Sequence, residues 1–344
     1  MQRRSFAGKT ALLSLAHAAV DMACAALFFS TLPDVDLWLG MVLYNACAFL
    51  CQLPMGILAD KLNRNLPFAA IGCALVAAGF ALRGVPLLSV IVAGLGNGAF
   101  HVGGGIEVLN GSETKAGPLG IFVSPGAIGL YFGRFYADFF GRYAVILPLV
   151  LLALAAALLL IGQKSFRSGS GNAELSFELP DKGVLWLALL FSVVVLRSFV
   201  GTTGAFATGE LLSGLPPVLT GLIPVLCLAL GKAAGGLLAD RFRPIPTSIV
   251  SLGLCALFLF FPLHPALTLC ALFLFNMTMP LTLFASAKLW RGAKGGAFGL
   301  LTFALFIGVV PFMLGLVPAG APWLYGALAL VSLALLLPAL LKTR

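Results

Sequence analysis

An all-α, polytopic membrane fold of about twelve transmembrane helices in two six-helix repeats is predicted by three features of this sequence. They are its composition, the spacing of its apolar runs, and a self-similarity between its two halves. The 344 residues are 60% hydrophobic and only 10% charged, against roughly 25% charge in soluble domains. A chain so poor in charge is built for lipid. The net charge of +9 would suit an acidic partner, but Lys and Arg sit in short loops between apolar runs instead of forming a patch. That pattern argues against nucleic acid and for membrane lipid.

The seven cysteines, Cys24, Cys47, Cys51, Cys73, Cys227, Cys255 and Cys270, lie inside apolar runs without metal-finger or disulfide-framework spacing. They read as small packing residues. The Arg3-Arg4 pair ahead of Phe6 superficially resembles a twin-arginine export signal. His17 and Asp21 inside the following apolar run, and the many spans beyond it, favour a cytoplasmic anchor.

Each element follows from its length. Apolar stretches able to cross a bilayer at roughly 20 residues apiece run near 10–31, 37–58, 66–83, 85–108, 117–137 and 142–162, then 183–206, 214–239, 245–262, 265–285, 295–317 and 322–341. The loops left over are too short to hold a soluble catalytic domain. The expected organisation is an N-terminal six-helix bundle over 1–162, a flexible cytoplasmic linker over 163–182 containing Arg167-Ser-Gly-Ser-Gly-Asn172, and a C-terminal six-helix bundle over 183–344. With the N-terminus inside, most Lys and Arg fall on the inner side and only Arg83, Arg134 and Arg142 outside. That asymmetry predicts a multi-pass protein of the cell (inner) membrane with both termini cytoplasmic.

Sliding the second half of the chain onto the first aligns Gly56-Ile-Leu-Ala-Asp60-Lys61 with Gly236-Leu-Leu-Ala-Asp240-Arg241, each at the cytoplasmic end of an even-numbered span. At an offset shorter by a single position, Gly117, Gly120, Ile128 and Gly129 match Gly296, Gly299, Ile307 and Gly308. Parallel repeats of six spans place a transport pathway at their interface and imply alternating access.

The stretch from Gly56 through Asp60 to Arg64, and its second copy from Gly236 through Asp240 and Arg241, resembles the loop 2–3 signature of the major facilitator superfamily. A narrower resemblance is to fosmidomycin-resistance-type efflux permeases. It rests on His17-Ala-Ala-Val-Asp21-Met22, Gln52, Phe100-His101 and Gly117-Pro-Leu-Gly-Ile-Phe122 followed by Gly126, Gly129 and Gly133. The chain departs from that pattern after His101, where Val102-Gly103-Gly104-Gly105 stands in place of Pro and Glu, and at Val20 in place of Asn. The resemblance implies a secondary transporter with a cytoplasmic gate at Gly56, Asp60, Arg64, Gly236, Asp240 and Arg241, Asp60 stabilising the outward-open state. The departures leave its substrate open.

Ionisable side chains within the spans are costly in hydrocarbon and so mark candidate pathway residues. His17 and Asp21 are one turn apart on one face, with Cys24 continuing it. They lie roughly 10 to 18 Å from the inner boundary. A carboxylate near mid-bilayer is a candidate proton carrier, because low dielectric disfavours its charge; the alternative is a structural His17–Asp21 pair. Arg197, roughly 20 Å into the seventh span, requires an anion, either Asp21 or a substrate carboxylate or phosphonate. Lys232 is the repeat-equivalent of Gln52 and either lines the inner cavity or snorkels to the surface. His101 is a pathway residue by resemblance and an interhelical hydrogen-bonding group otherwise. Glu107, near the cytoplasmic end of the fourth span, reads as a gate or interface residue. The Gly126, Gly129, Gly133 face suits close helix packing, and Pro125 and Pro311 are expected to bend their helices.

The expected function is proton-coupled efflux of a small organic solute, an anion among the candidates, by a monomer that needs protons and no cofactor. Two alternatives remain. One is a divalent transition-metal transporter with His17, Asp21 and Cys24 as ligands, opposed by the cationic Arg197 and Lys232; the other is a non-transporting receptor, for which interior charges would have no use. An enzyme is not expected, since no HExxH motif and no Ser–His pairing stand out.

Overall fold

A computed structural model describes residues 2–32, 36–112, 114–167, 178–207, 209–316 and 322–343. Residues 168–177 of the expected linker, and the side chains of Arg3 and Arg4, fall outside that description. Among the described residues the regular secondary structure is helical, apart from an isolated antiparallel bridge between Glu178 and Arg291.

Twelve apolar segments succeed one another. The first six are α1 (Gln2–Thr31), α2 (Leu37–Leu62), α3 (Asn65–Ala81), α4 (Pro86–Ser112), α5 in two pieces (Gly117–Val123 and Pro125–Phe135) and α6 (Ile146–Arg167). The second six are α7 (Gly183–Thr202), α8 (Pro217–Phe242), α9 (Pro244–Phe260), α10 (Pro265–Leu289), α11 (Lys294–Met313) and α12 (Pro322–Lys342). Among the described residues, nine of these are long and apolar enough to cross a membrane. The others are α3 and α9, of 17 residues each, and the divided α5. Helix α6 runs on to Arg167, so the first part of the 163–182 segment is helical instead of loop.

Prolines account for the irregularities. A proline ring clashes with the carbonyl four residues earlier and offers no N–H. Pro54 falls four residues after Leu50, where α2 relaxes into a π-helical turn over Ala46–Leu50. Pro280 falls four residues after Asn276, where α10 breaks at Met277 and Thr278. Pro125 likewise has no N–H to give the Ile121 carbonyl, and α5 divides at Ser124, whose own backbone stays right-handed helical. Pro311, in contrast, lies within a continuous α11.

The chain forms two compact units that interleave in sequence. The first comprises 1–111, 125–178 and 291–303; the second comprises 112–124, 179–290 and 304–344. The N-terminal part of α11 therefore belongs to the first unit, and the N-terminal piece of α5 to the second.

Small residues bring backbones together inside each unit. In the first, α1 packs along the second piece of α5. A Cβ on Gly129 would fall 2.1 Å from the Ala18 carbonyl oxygen, and one on Gly133 2.1 Å from that of Met22, so the glycine face acts as a packing seam. In the second, Gly308 of α11 meets Val195 of α7, a Cβ there falling 2.5 Å from the Val195 carbonyl oxygen. Large apolar side chains such as Leu160, Val184 and Trp323 remain on the outside, as expected of helices facing lipid.

Candidate functional site

In the first unit, α1 supplies His17 and Asp21, and α4 supplies Asn97 and His101. Asp21 and His17 share a face one turn apart, and their side chains meet, His17 Nε2 lying 3.2 Å from Asp21 Oδ2. His101 joins them from α4, its Nε2 2.8 Å from His17 Nε2 and 3.8 Å from Asp21 Oδ1. All three side chains are largely buried.

The hydrogen bonds fix the arrangement of protons. A carbonyl oxygen only accepts, so His101 Nδ1, 2.9 Å from the Asn97 carbonyl, donates to it. The Nε2 atom of a neutral His101 is then an acceptor. One proton lies between the two facing Nε2 atoms, carried by His17 when His101 is neutral. Asn97 Nδ2 donates to Asp21 Oδ1 at 2.9 Å, leaving Oδ2 toward His17. The three side chains thus form one connected set of groups, each able to hold a proton.

Gly126 closes one side of the cluster. A Cβ there would fall 2.3 Å from His17 Nε2 and 2.4 Å from Asp21 Oδ2, so any side chain at 126 would press on both polar atoms. Cys24 lies outside the triad. Its thiol is within 3.8 Å of the Ala93 carbonyl and 3.7 Å of Asn97 Nδ2.

The other sequence-selected residues take separate posts. Gln52 is fully buried, its Nε2 donating to the Ala48 carbonyl, and its Oε1 has no hydrogen-bond partner among the described residues. Glu107 pairs with Lys9 at 3.0 Å, tying α4 to the start of α1. In the second unit Arg197 of α7 is buried and donates to Thr282 Oγ1 of α10 at 3.2 Å. Among the described residues no carboxylate lies within salt-bridge distance of it. Lys232 is half-buried in α8.

The two signature copies form the same structure twice. In the first unit Asp60 accepts from the backbone N–H groups of Gly295 and Gly296, both at 2.8 Å, at the start of α11. In the second, Asp240 accepts from those of Ala116 and Gly117 at 2.7 and 3.0 Å, at the start of α5. Each carboxylate satisfies unpaired donors at a helix N-terminus, where the helix dipole favours negative charge. The glycines make room. A Cβ on Gly56 would fall 2.0 Å from the Gly295 carbonyl oxygen, and one on Gly236 2.6 Å from that of Ala116. Arg64 and Arg241 are exposed nearby, and Arg241 stacks on Phe242.

No known family model matches the sequence, and no curated protein does. Solved structures match throughout. The outward-conformation structure of the major facilitator transporter FucP aligns with a TM-score of 0.67 at 16% identity, over 99% of this chain and 98% of that one. This chain has the major facilitator fold. A bacterial homologue of the iron transporter ferroportin aligns at 0.64 and 15% identity, over 97% and 98% of the two chains. The human organic anion transporter MFSD10 aligns at 0.68 and 15% identity, over 97% and 99%. At these identities the likeness concerns the major facilitator scaffold, and the chemistry rests on this chain's own side chains.

Two features lay beyond sequence reading. Asn97 orients both Asp21 and His101, and its only signal was its place one turn before His101. The Lys9–Glu107 pair had no signal, because its members are far apart in the chain.

Proposed function

We propose that this chain is a proton-coupled secondary transporter of the cell membrane, exporting a small organic solute by alternating access. The observation that carries this reading is the His17–Asp21–His101 triad, a connected set of proton-holding groups inside a membrane-spanning bundle. Burying three such groups is costly, and a relay for protons gives the cost a use. The major facilitator fold over nearly the whole chain supports the transport part of the reading.

An anionic solute is favoured by Arg197. A buried guanidinium carries five donors, and a hydroxyl such as that of Thr282 cannot neutralise it. A carboxylate or phosphonate would complete its shell. The twin Asp60 and Asp240 contacts serve as latches on α11 and α5, made and released during the cycle, with the linker and both termini in the cytoplasm.

The test is solute-dependent proton movement in proteoliposomes carrying the full chain, screened with phosphonates, sugar acids and cationic dyes. The reading expects an anionic solute to drive proton flux that Asp21→Asn abolishes. Solute transport that ignores an imposed pH gradient would remove proton coupling, and transport of cations alone would remove the anion.

A further inference from the structure

The triad has a second chemical capacity that does not depend on the transport reading. We infer that His17, Asp21 and His101 form a binding site for one divalent transition-metal ion. Two imidazoles and one carboxylate are the donor set that suits such ions, with positions left open for water or another ligand.

The distances fit an ion at the centre. Metal–nitrogen and metal–oxygen bonds of about 2.0–2.2 Å in a tetrahedral site set ligand atoms about 3.3–3.6 Å apart. Here His17 Nε2 stands 2.8 Å from His101 Nε2 and 3.2 Å from Asp21 Oδ2, and His101 Nε2 stands 3.8 Å from the other carboxylate oxygen, Oδ1. One donor atom from each residue lies within 4.8 Å of the other two. Small rotations of the rings and carboxylate would equalise these separations.

Two further observations point the same way. Metal-binding histidines typically donate their other ring N–H to a carbonyl or carboxylate, which fixes the tautomer and aims the lone pair. His101 does so through Nδ1 to the Asn97 carbonyl, and the Asn97 amide holds Asp21 from behind. Gly126 also leaves space beside the ligand atoms. A Cβ at that position would fall 2.3 Å from His17 Nε2 and 2.4 Å from Asp21 Oδ2, so a side chain there would displace both ligand atoms. An entering ion needs both Nε2 lone pairs: His101 already presents its own, and a neutral His17 does so by moving its proton from Nε2 to Nδ1.

The experiment uses the full chain, purified without a histidine tag and without a pH gradient, titrated with Co2+ alone. Ligation is read from visible absorption and stoichiometry from calorimetry. The chain has three histidines, and the third, His264, caps α10 at an exposed position by accepting from Ala266 N. His264→Gln is therefore the control. The inference expects one nitrogen-ligated Co2+ per chain, unchanged in His264→Gln and weakened at least ten-fold in His101→Gln and in the near-isosteric Asp21→Asn. Gly126→Ala should weaken binding similarly with every ligand still present. Metal-free unfolding temperatures identify any variant that has lost its fold, and the remaining variants decide the matter. Absence of Co2+ binding to the unaltered chain overturns the inference, as does binding that survives in the folded triad variants or disappears with His264. A failure here leaves proton-coupled transport standing, because that is read from flux.

Discussion

Asp60 and Asp240, at equivalent positions of the two repeats, perform the same task on different helices. Each carboxylate spans two successive backbone N–H groups at a helix start, Gly295 and Gly296 for Asp60 and Ala116 and Gly117 for Asp240. They differ in setting, since Asp60 is buried and Asp240 exposed. Charge-assisted bonds are screened less where water is excluded. Replacement of Asp60 by Ala is therefore expected to cost about 1–2 kcal/mol and that of Asp240 under about 1 kcal/mol, with thermal unfolding as the measurement. Equal losses would show that burial does not set the strength of the contact. Asp60→Asn, which keeps the shape and removes the charge, should slow transport several-fold in a folded protein.

The triad makes a separable prediction about coupling. A neutral amide mimics a protonated carboxyl, so Asp21→Asn should end accumulation against a gradient while downhill exchange continues. Arg197→Ala should instead raise the solute concentration needed for half-maximal transport, by about ten-fold if one charge-assisted contact is lost. If the Asp21 variant concentrates solute with an unchanged response to pH, that carboxylate is structural and coupling lies elsewhere.

Backbone strain yields a third prediction. Arg243, between α8 and α9, has φ of 71° and ψ of 152°, a region essentially reserved for glycine and costing about 1–3 kcal/mol elsewhere. Its repeat-equivalent Asn63 ends α2 at φ 52° and ψ 37°, a left-handed conformation asparagine tolerates. Arg243→Gly should raise thermal stability by about 1 kcal/mol. Asn63→Gly should change it by only a few tenths. A destabilised Arg243→Gly would mean that the arginine side chain contributes more than its backbone costs.

Glycines of like sequence context should respond oppositely to alanine. A Cβ at Gly253 in α9 meets nothing within 4 Å, whereas one at Gly129 meets the Ala18 backbone at 2.1 Å. Gly253→Ala should stabilise by about 0.5–1 kcal/mol through helix propensity, and Gly129→Ala should destabilise by forcing α1 and α5 apart. Heat denaturation of the two variants side by side checks both signs.

Most of the fold was legible because apolar run length and a long-period repeat are properties of the linear chain. Breaks at Ser124 and Met277–Thr278 were less so, since prolines also occur inside continuous helices, as Pro311 does in α11. The His17–Asp21 contact followed from helical spacing. Which third group completes it did not, because Cys24 continues the same face while His101 arrives from α4. Only tertiary packing puts an imidazole where the spacing suggested a thiol.

The interleaving of the two units bears on how the protein is made. Each unit includes a stretch of chain from the other half, 112–124 in the second and 291–303 in the first. The first unit therefore stays incomplete after its own six spans have left the ribosome, and Asp60 has no helix end to hold until Gly295 and Gly296 have been synthesised. During that interval a buried aspartate and the unfilled face of α2 need another partner, whether lipid headgroup, water or membrane chaperone. The first unit is thus completed only after most of the second half has been translated.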